Sequence, residues 1–387
     1  MINIELNTLF SPEKIGKVQI KNRIIRSATY TNMATEDGIP TEQQIELYTT
    51  LAKGGTGLII TEITSIDKGG IGMNEQLCLY DDSQIAGHKR LVDAVHEYTG
   101  VKIAPQLSHA GRGSFNPNIQ PVAPSPIQNT LTKKTPRELT IEEIREIVKN
   151  FGDACRRAYE SGYDLVQLNA GHGWLLSNFL SPFTNKRKDE YGGDLQNRAK
   201  ILIDIYNQVK DEMGKKFPIT LKLQTNDFIP EGLVLEEGME IAKLLIDVGY
   251  CAIEPSGGGF ELAGMGEKPY PSAVVSKPED ENYFLPSVEK LEKIKKECPI
   301  ILMGGVRNPL GAEKLLQEKI ANFIAISRPL IYEPDLPNRW ESGDLSPPLC
   351  TSCNQCFATI MSGPLHCPIK KKAEKRRKRE EKKKAQQ

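Results

Sequence analysis

The feature that most constrains this chain is an alternation. Eight apolar, β-rich runs recur between residues 24 and 326: Ile24–Ala28, Gly57–Ile63, Val101–Leu107, Tyr163–Leu168, Ile219–Gln224, Cys251–Glu254, Ile300–Met303 and Phe323–Ile326. Most are followed by a stretch with helical spacing: Thr41–Lys53, Gln84–Tyr98, Thr140 to about Glu160, Leu195–Met213, Leu235–Val248, Val288–Lys296 and Gly311–Gln317. Strands that alternate with helices run parallel, because each helix carries the chain back to the same end of the sheet. Eight such units predict an α/β fold, a single closed (β/α)8 TIM barrel. We expect the barrel over residues 1–345, a cysteine-containing extension over 346–368, and a charged tail over 369–387 that is disordered or a frayed helix.

Composition narrows the class of protein. With 387 residues, 39% hydrophobic and 26% charged, the chain has ordinary globular composition and is long enough for one large domain or two small ones. The formal net charge of zero hides a basic excess in Lys370–Lys384, so the body is acidic by a similar amount. There is no apolar run of about 18 residues to cross a membrane. The N-terminus, MINIELNTLFSPEKIGK, lacks the layout of a signal peptide. Cys78, Cys155, Cys251 and Cys298 are scattered through predicted core or helix, which does not suggest a disulfide scaffold. A cytoplasmic protein is expected.

In a barrel of this kind, chemistry gathers where strands meet loops at the C-terminal face. Asn169 and His172 form a polar pair just after the fourth strand. Gly304-Gly305 and Ser327-Arg328 follow the seventh and eighth strands, where glycines admit a phosphate close to the backbone and an arginine grips it. Gln106 ends the third strand, where a satisfied strand-end amide is the ordinary reading. Lys222 lies inside the apolar strand Ile219–Leu223, a costly place for a cation unless it meets an anion or an electron-rich ring. Two long loops, Gly111–Pro136 and Gly257–Glu281, are rich in Pro or Gly and too long for simple connections.

The motifs KNRIIRSAT, GLIITEI, PQLSHAGR, NAGHGWLLSNFLSPFTNKRKDEYGG, LKLQTNDF, MGGV and ISRPLIYEPDL, in that order, resemble the old yellow enzyme family of FMN-dependent NAD(P)H:flavin oxidoreductases. The likeness covers about residues 7–345 and implies one FMN in a TIM barrel. By that resemblance, Ser27, Ala28 and Thr29 line the flavin, Ile63 flanks it, and Gln106 bonds its pyrimidine side. Lys222 stands near the N1–O2 edge, and Gly304, Gly305, Ser327 and Arg328 hold the phosphate. Asn169 and His172 match the family's substrate pair and would polarise a carbonyl during ping-pong hydride transfer through flavin N5, from NAD(P)H to an activated alkene.

The chain departs from the family in three ways. Trp174 stands where a tyrosine acid is common, and an indole N–H is no acid near neutral pH. Tyr30 is the first candidate replacement, placed with the catalytic residues, and Tyr283 the second; packing is the simpler role for each. Quinones, nitro compounds and dioxygen would need no such acid. Asn169 occupies a position where histidine is commoner, which shifts oxyanion stabilisation onto His172. Finally, Cys350, Cys353, Cys356 and Cys367 are similar to the four-cysteine segment of the 2,4-dienoyl-CoA reductase branch, with altered gaps. Four thiolates could hold a [4Fe–4S] cluster or zinc, with reduced thiols as the plain alternative. No appended flavoprotein domain is expected after Cys367.

The expected partner is a small molecule. No membrane association is expected, homo-oligomerisation stays open, and nucleic acid is not expected despite the basic tail. A tRNA dihydrouridine synthase-like barrel is the competing class, and the His/Asn motif speaks against it. A flavin-binding barrel without turnover is a third reading.

Overall fold

Eight parallel strands, each written here as β1 to β8 in chain order, close the barrel that the alternation predicts. They are Ile24–Arg26 (β1), Leu58–Ser65 (β2), Lys102–Ser108 (β3), Val166–Ala170 (β4), Ile219–Asn226 (β5), Ile253–Gly257 (β6), Ile301–Leu302 (β7) and Phe323–Ile326 (β8). The computed structural model describes residues 6–214, 217–265 and 272–384. Neighbouring strands pair in the order β6-β5-β4-β3-β2-β1-β8-β7. A single parallel bridge, Ile253 to Ile300, joins β6 to the start of β7 and completes the circle.

Helices Glu42–Lys53 (α1), Ile85–His96 (α2), Ile141–Glu160 (α3), Leu195–Met213 (α4), Leu235–Val248 (α5), Leu285–Glu292 (α6) and Pro309–Gln317 (α7) follow strands β1 to β7. Helix α3 starts on the capping box expected at Thr140, whose side chain accepts from the Glu143 amide while Glu143 accepts from the Thr140 amide. Between helices and strands lies one continuous apolar layer, including Ile59, Ile103, Leu168, Leu221, Leu223 and Ile324.

The inward-facing residues alternate with these, as the two-residue strand period requires. Near the strand starts the interior is apolar: Leu58, Ile60, Ala104, Leu165, Ala252 and Phe323 pack with Ile15 and Ile20. Those last two belong to a small antiparallel hairpin, Glu13–Ile15 with Val18–Ile20, that plugs this end. Further along the strands the interior turns polar, at Gln106, Gln167, Lys222 and Glu254, all buried. This change of polarity sets the floor of the site.

Two features lie outside the expected pattern. The loop after β3 carries a short parallel pair, Val122–Ala123 with Arg137–Glu138. The extension packs on the barrel: Cys356 and Leu365 form an apolar cluster with Met33, and the Leu365 amide donates to the Thr31 carbonyl at 2.8 Å. Beyond it Pro368–Lys384 forms a helix that is exposed from Lys371 onward. Among the described residues no helix is long and apolar enough to cross a membrane.

Candidate active site

The strand ends open into one cavity of about 690 Å³, within the size range of cofactor sites. Ser27, Ala28, Thr29, Tyr30, Ile63, Gln106, Asn169, His172, Lys222, Gly304, Gly305, Ser327 and Arg328 all line it, so every cofactor and catalytic residue expected from sequence meets there. They come from seven different strand ends, and only the barrel's closure makes them neighbours.

The floor is a buried ion pair. Lys222 Nζ lies 2.9 Å from Glu254 Oε1, with side-chain exposures of 3% and 0%. The β4–β5–β6 register causes this, because Lys222 stands opposite both Asn169 and Glu254. Lys222 also donates to Ser27 Oγ at 2.7 Å, and Ser27 Oγ donates to Glu254 Oε1 at 2.7 Å. Gln167 Nε2 donates to the other carboxylate oxygen at 2.8 Å, and Gln106 Nε2 donates to Gln167 Oε1 at 2.6 Å. Burying either charge by itself would cost several kcal/mol, about 3–5 when one partner of such a pair is removed.

Above the floor, the loop after β4 turns through two left-handed residues, His172 at φ 62° and Gly173 at φ 82°. A Cβ on Gly173 would stand 2.8 Å from the Phe260 ring, so glycine is required there twice over. His172, a non-glycine in this region, is held from two sides. Its amide donates to Gln224 Oε1 at 2.9 Å, and its Nε2 lies 2.5 Å from Ser256 Oγ. Burial, and then the Lys222 charge, push its pKa down to about 3. The ring is therefore neutral, and any help it gives a developing oxyanion is that of an N–H donor, not an imidazolium. Asn169 Nδ2 donates weakly to Ser108 Oγ at 3.4 Å, and its Oδ1 is buried without a hydrogen bond.

At the opposite end, Gly304 (φ 103°) and Gly305 (φ 83°) follow β7, and Tyr283 and Phe284 pack where a Cβ on Gly304 would stand. Arg328 is oriented by the extension and by the loop after β6. Its guanidinium donates to Asn354 Oδ1 at 2.5 Å and to the Ala273 carbonyl at 2.9 Å. Asn354 in turn donates to the Ser272 carbonyl at 2.7 Å. A second cation, Arg307, lines the same end and donates to Ser352 Oγ and the Pro348 carbonyl, both at 3.0 Å. Glycine backbone, Ser327 and two arginines make a donor set that fits a phosphate.

The mouth is aromatic and apolar. Trp174 and Phe260 meet edge to face at 5.4 Å between ring centroids, with Phe115 against Phe260 at 5.9 Å. Leu131, Phe357 and Met361 stand exposed on the same rim. Tyr30 lines the wall, but its hydroxyl is engaged by the Asn74 carbonyl and by Asn32 Oδ1. Burial, with Glu62 and Glu75 nearby, pushes its pKa up. The phenol is thus a weaker acid whose hydroxyl is already hydrogen-bonded.

The cysteine segment lies at the edge of the same barrel face. Cys350, Cys353, Cys356 and Cys367 do converge on one small cavity. That cavity is only about 20 Å³, room for a water-sized occupant. Among the described residues no group of three or more His, Cys, Asp or Glu is placed to hold a metal ion, and all four thiols are free. As placed, they do not fit a [4Fe–4S] cluster or a zinc ion.

Sequence reasoning missed Gln167, Glu254, Ser256, Arg307 and Asn354. Glu254 carried the same signal that flagged Lys222, a charge in an apolar strand, but it ended its run and read as a boundary. Asn354 and Arg307 gave no local signal at all.

With this geometry in view, comparison with known proteins is specific. The model of the NADH:flavin oxidoreductase / NADH oxidase family matches residues 8–345. An NADH oxidase of Thermoanaerobacter brockii is 37% identical over 351 residues, covering 89% of this chain and 52% of the relative. The chain therefore spans about half the length of that relative. An NADPH dehydrogenase of Listeria monocytogenes is 36% identical over 332 residues, covering 85% and 93%. Among solved structures, the old yellow enzyme homologue from Zymomonas mobilis aligns with a TM-score of 0.75 at 29% identity, over 92% of this chain and 99% of that one.

Proposed function

Because the chain belongs to the NADH:flavin oxidoreductase / NADH oxidase family, the old yellow enzyme family, we propose that its cavity reduces a neutral, electron-poor carbonyl conjugate with electrons from NAD(P)H. The observation that carries this is the convergence of the expected residues around one cavity, with an arginine-and-glycine end suited to a phosphate and a donor pair at the other. FMN would be held by Ser27, Ala28, Thr29, Ile63, Gln106 and Lys222 about its ring, and by Gly304, Gly305, Arg307, Ser327 and Arg328 at its phosphate. When bound, it supplies a site that accepts a hydride from the nicotinamide and passes it to the acceptor.

The chain's own residues do the rest. Asn169 and His172 donate hydrogen bonds to the acceptor's carbonyl oxygen, drawing electron density away from the carbon that is attacked. Ser256 at 2.5 Å can donate to His172 Nε2, which leaves the ring proton on Nδ1. Lys222 presents a fixed cation from the floor. Trp174 and Phe260 exclude water and give a flat acceptor aromatic walls.

Proton delivery separates two acceptor classes. Trp174 cannot protonate carbon, and the Tyr30 proton is held by its neighbours. A quinone takes its protons on oxygen, from water, so this site favours quinones over simple enones. The test is anaerobic turnover with NADPH, comparing a benzoquinone with cyclohexenone in wild type and Trp174→Tyr. The expected outcome is faster quinone reduction by wild type and a gain of tenfold or more for cyclohexenone alone in the variant. Equal gains on both acceptors would refute the assignment of Trp174, and a wild type that oxidises no NAD(P)H would refute the whole reading.

A further inference from the structure

We propose that Glu254, which does not line the cavity, is a positioning residue that sets both the charge balance and the hydrogen-bond direction of the cavity floor. The proposal rests on the reading of this cavity as a flavin site. Its starting point is the way the carboxylate is used. Glu254 is fully buried, Oε1 accepts from Lys222 Nζ and Ser27 Oγ, and Oε2 accepts from Gln167 Nε2. An ionised carboxylate only accepts, so each of these partners must turn a donor toward it.

That requirement propagates. Gln167 must point its NH2 at Glu254, so its carbonyl points the other way. Gln106 then has to donate Nε2 to Gln167 Oε1, which it does at 2.6 Å. What remains to the cavity is the Gln106 carbonyl and its second N–H, in one fixed orientation. A neutral amide at position 254 could donate as well as accept, and the direction of the whole chain would no longer be dictated. The same carboxylate balances Lys222. Two of the three ammonium protons are spent on Glu254 and Ser27, and the floor as a whole is neutral. Removing the negative partner unmasks a cation beside the cavity, in a medium of low polarisability where its field is strong.

An ion pair kept only for packing could be replaced by apolar residues of similar volume at little cost. Here the pair is tied through Gln167 to Gln106, which lines the cavity, and through Ser27, which also lines it. The network thus joins three lining residues, Ser27, Gln106 and Lys222, through a group that does not itself line the cavity.

The experiment uses the full chain loaded with FMN. Glu254→Gln is compared with wild type for midpoint potential, measured against a reference dye, and for the visible spectrum of the bound flavin. The unmasked Lys222 should favour the reduced, more anionic cofactor, raising the reduced-to-oxidised ratio at fixed poise at least tenfold, about 30 mV for a two-electron couple. In a Lys222→Met background the same Glu254→Gln change should produce less than a third of that shift. An unchanged potential and spectrum in folded Glu254→Gln would overturn the proposal, and so would an equal shift in both backgrounds. Should Glu254→Gln fail to fold, Gln167→Met carries the test. It spares the ion pair and breaks only the relay, so FMN should bind at least fivefold more weakly, and wild-type affinity would overturn the orientation argument. Wild-type protein that binds no FMN defeats the flavin reading itself, before any variant is compared.

Discussion

Desolvation shifts two side chains in opposite directions. His172 has its pKa pushed down to about 3, first by burial and then by Lys222. Its charged form is a small minority by pH 5, so turnover between pH 5 and 8 should show no inflection from this ring. Initial rates at saturating NADPH check this, and a limb near pH 6.5 that vanishes in His172→Asn would contradict it. His172→Ala should lower turnover of the acceptor by about a hundred- to a thousandfold, the range for losing one well-placed donor. Glu62, at 0% exposure, moves the other way: burial pushes its carboxyl up to about 7, against hydrogen bonds from Thr31 and the Leu77 amide. The folded state then holds this proton more tightly than the unfolded chain. Its contribution to stability is full below about pH 4.5 and is lost as pH rises through 7, for a total of about 3 kcal/mol. Urea titrations across that window should show the slope, and Glu62→Gln should flatten it.

At the scale of elements, the extension and the loop after β6 meet on Arg328. Asn354 sits at φ 59°, a conformation glycine tolerates freely, and its side chain bridges Arg328 to the Ser272 carbonyl, which Arg328 itself reaches at 3.5 Å. Asn354→Gly should therefore keep the backbone and loosen the arginine, weakening FMN binding about tenfold by fluorescence titration, near 1.4 kcal/mol. This junction also marks where sequence reasoning stops. The alternation located all eight strands, because a buried parallel strand leaves an apolar run in the sequence itself. Lys222 stood out because it interrupts such a run. Glu254 did not, because it closes its run and reads as a boundary, and its match to Lys222 depends on a register that only the folded sheet defines. The hairpin at Glu13–Ile20 escaped because its strands are three residues each, too short to display a period. The cysteine spacing suggested a metal that the folded arrangement does not accommodate.

For the whole molecule, the barrel is not equally joined all the way round. β2 and β3 share a long register, whereas β6 and β7 meet at one bridge. Amides flanking that bridge, Ile253 and Ile301, should exchange with solvent faster than those of Ile59 and Ile103, which hydrogen exchange read by mass spectrometry can resolve. The consequence reaches the cofactor. Gly304 and Gly305 lie just past this weak joint on its β7 side, Lys222 stands on β5 beside its β6 side, Ser27 follows β1, and one ligand filling the cavity would touch all of them. FMN then acts as a clasp as well as a reagent. Occupying the site at a hundred times its dissociation constant would add about 2.7 kcal/mol to the stability of the closed barrel. The melting temperature of the protein should climb with added FMN, and the cell's flavin supply would decide how much of the chain stays shut.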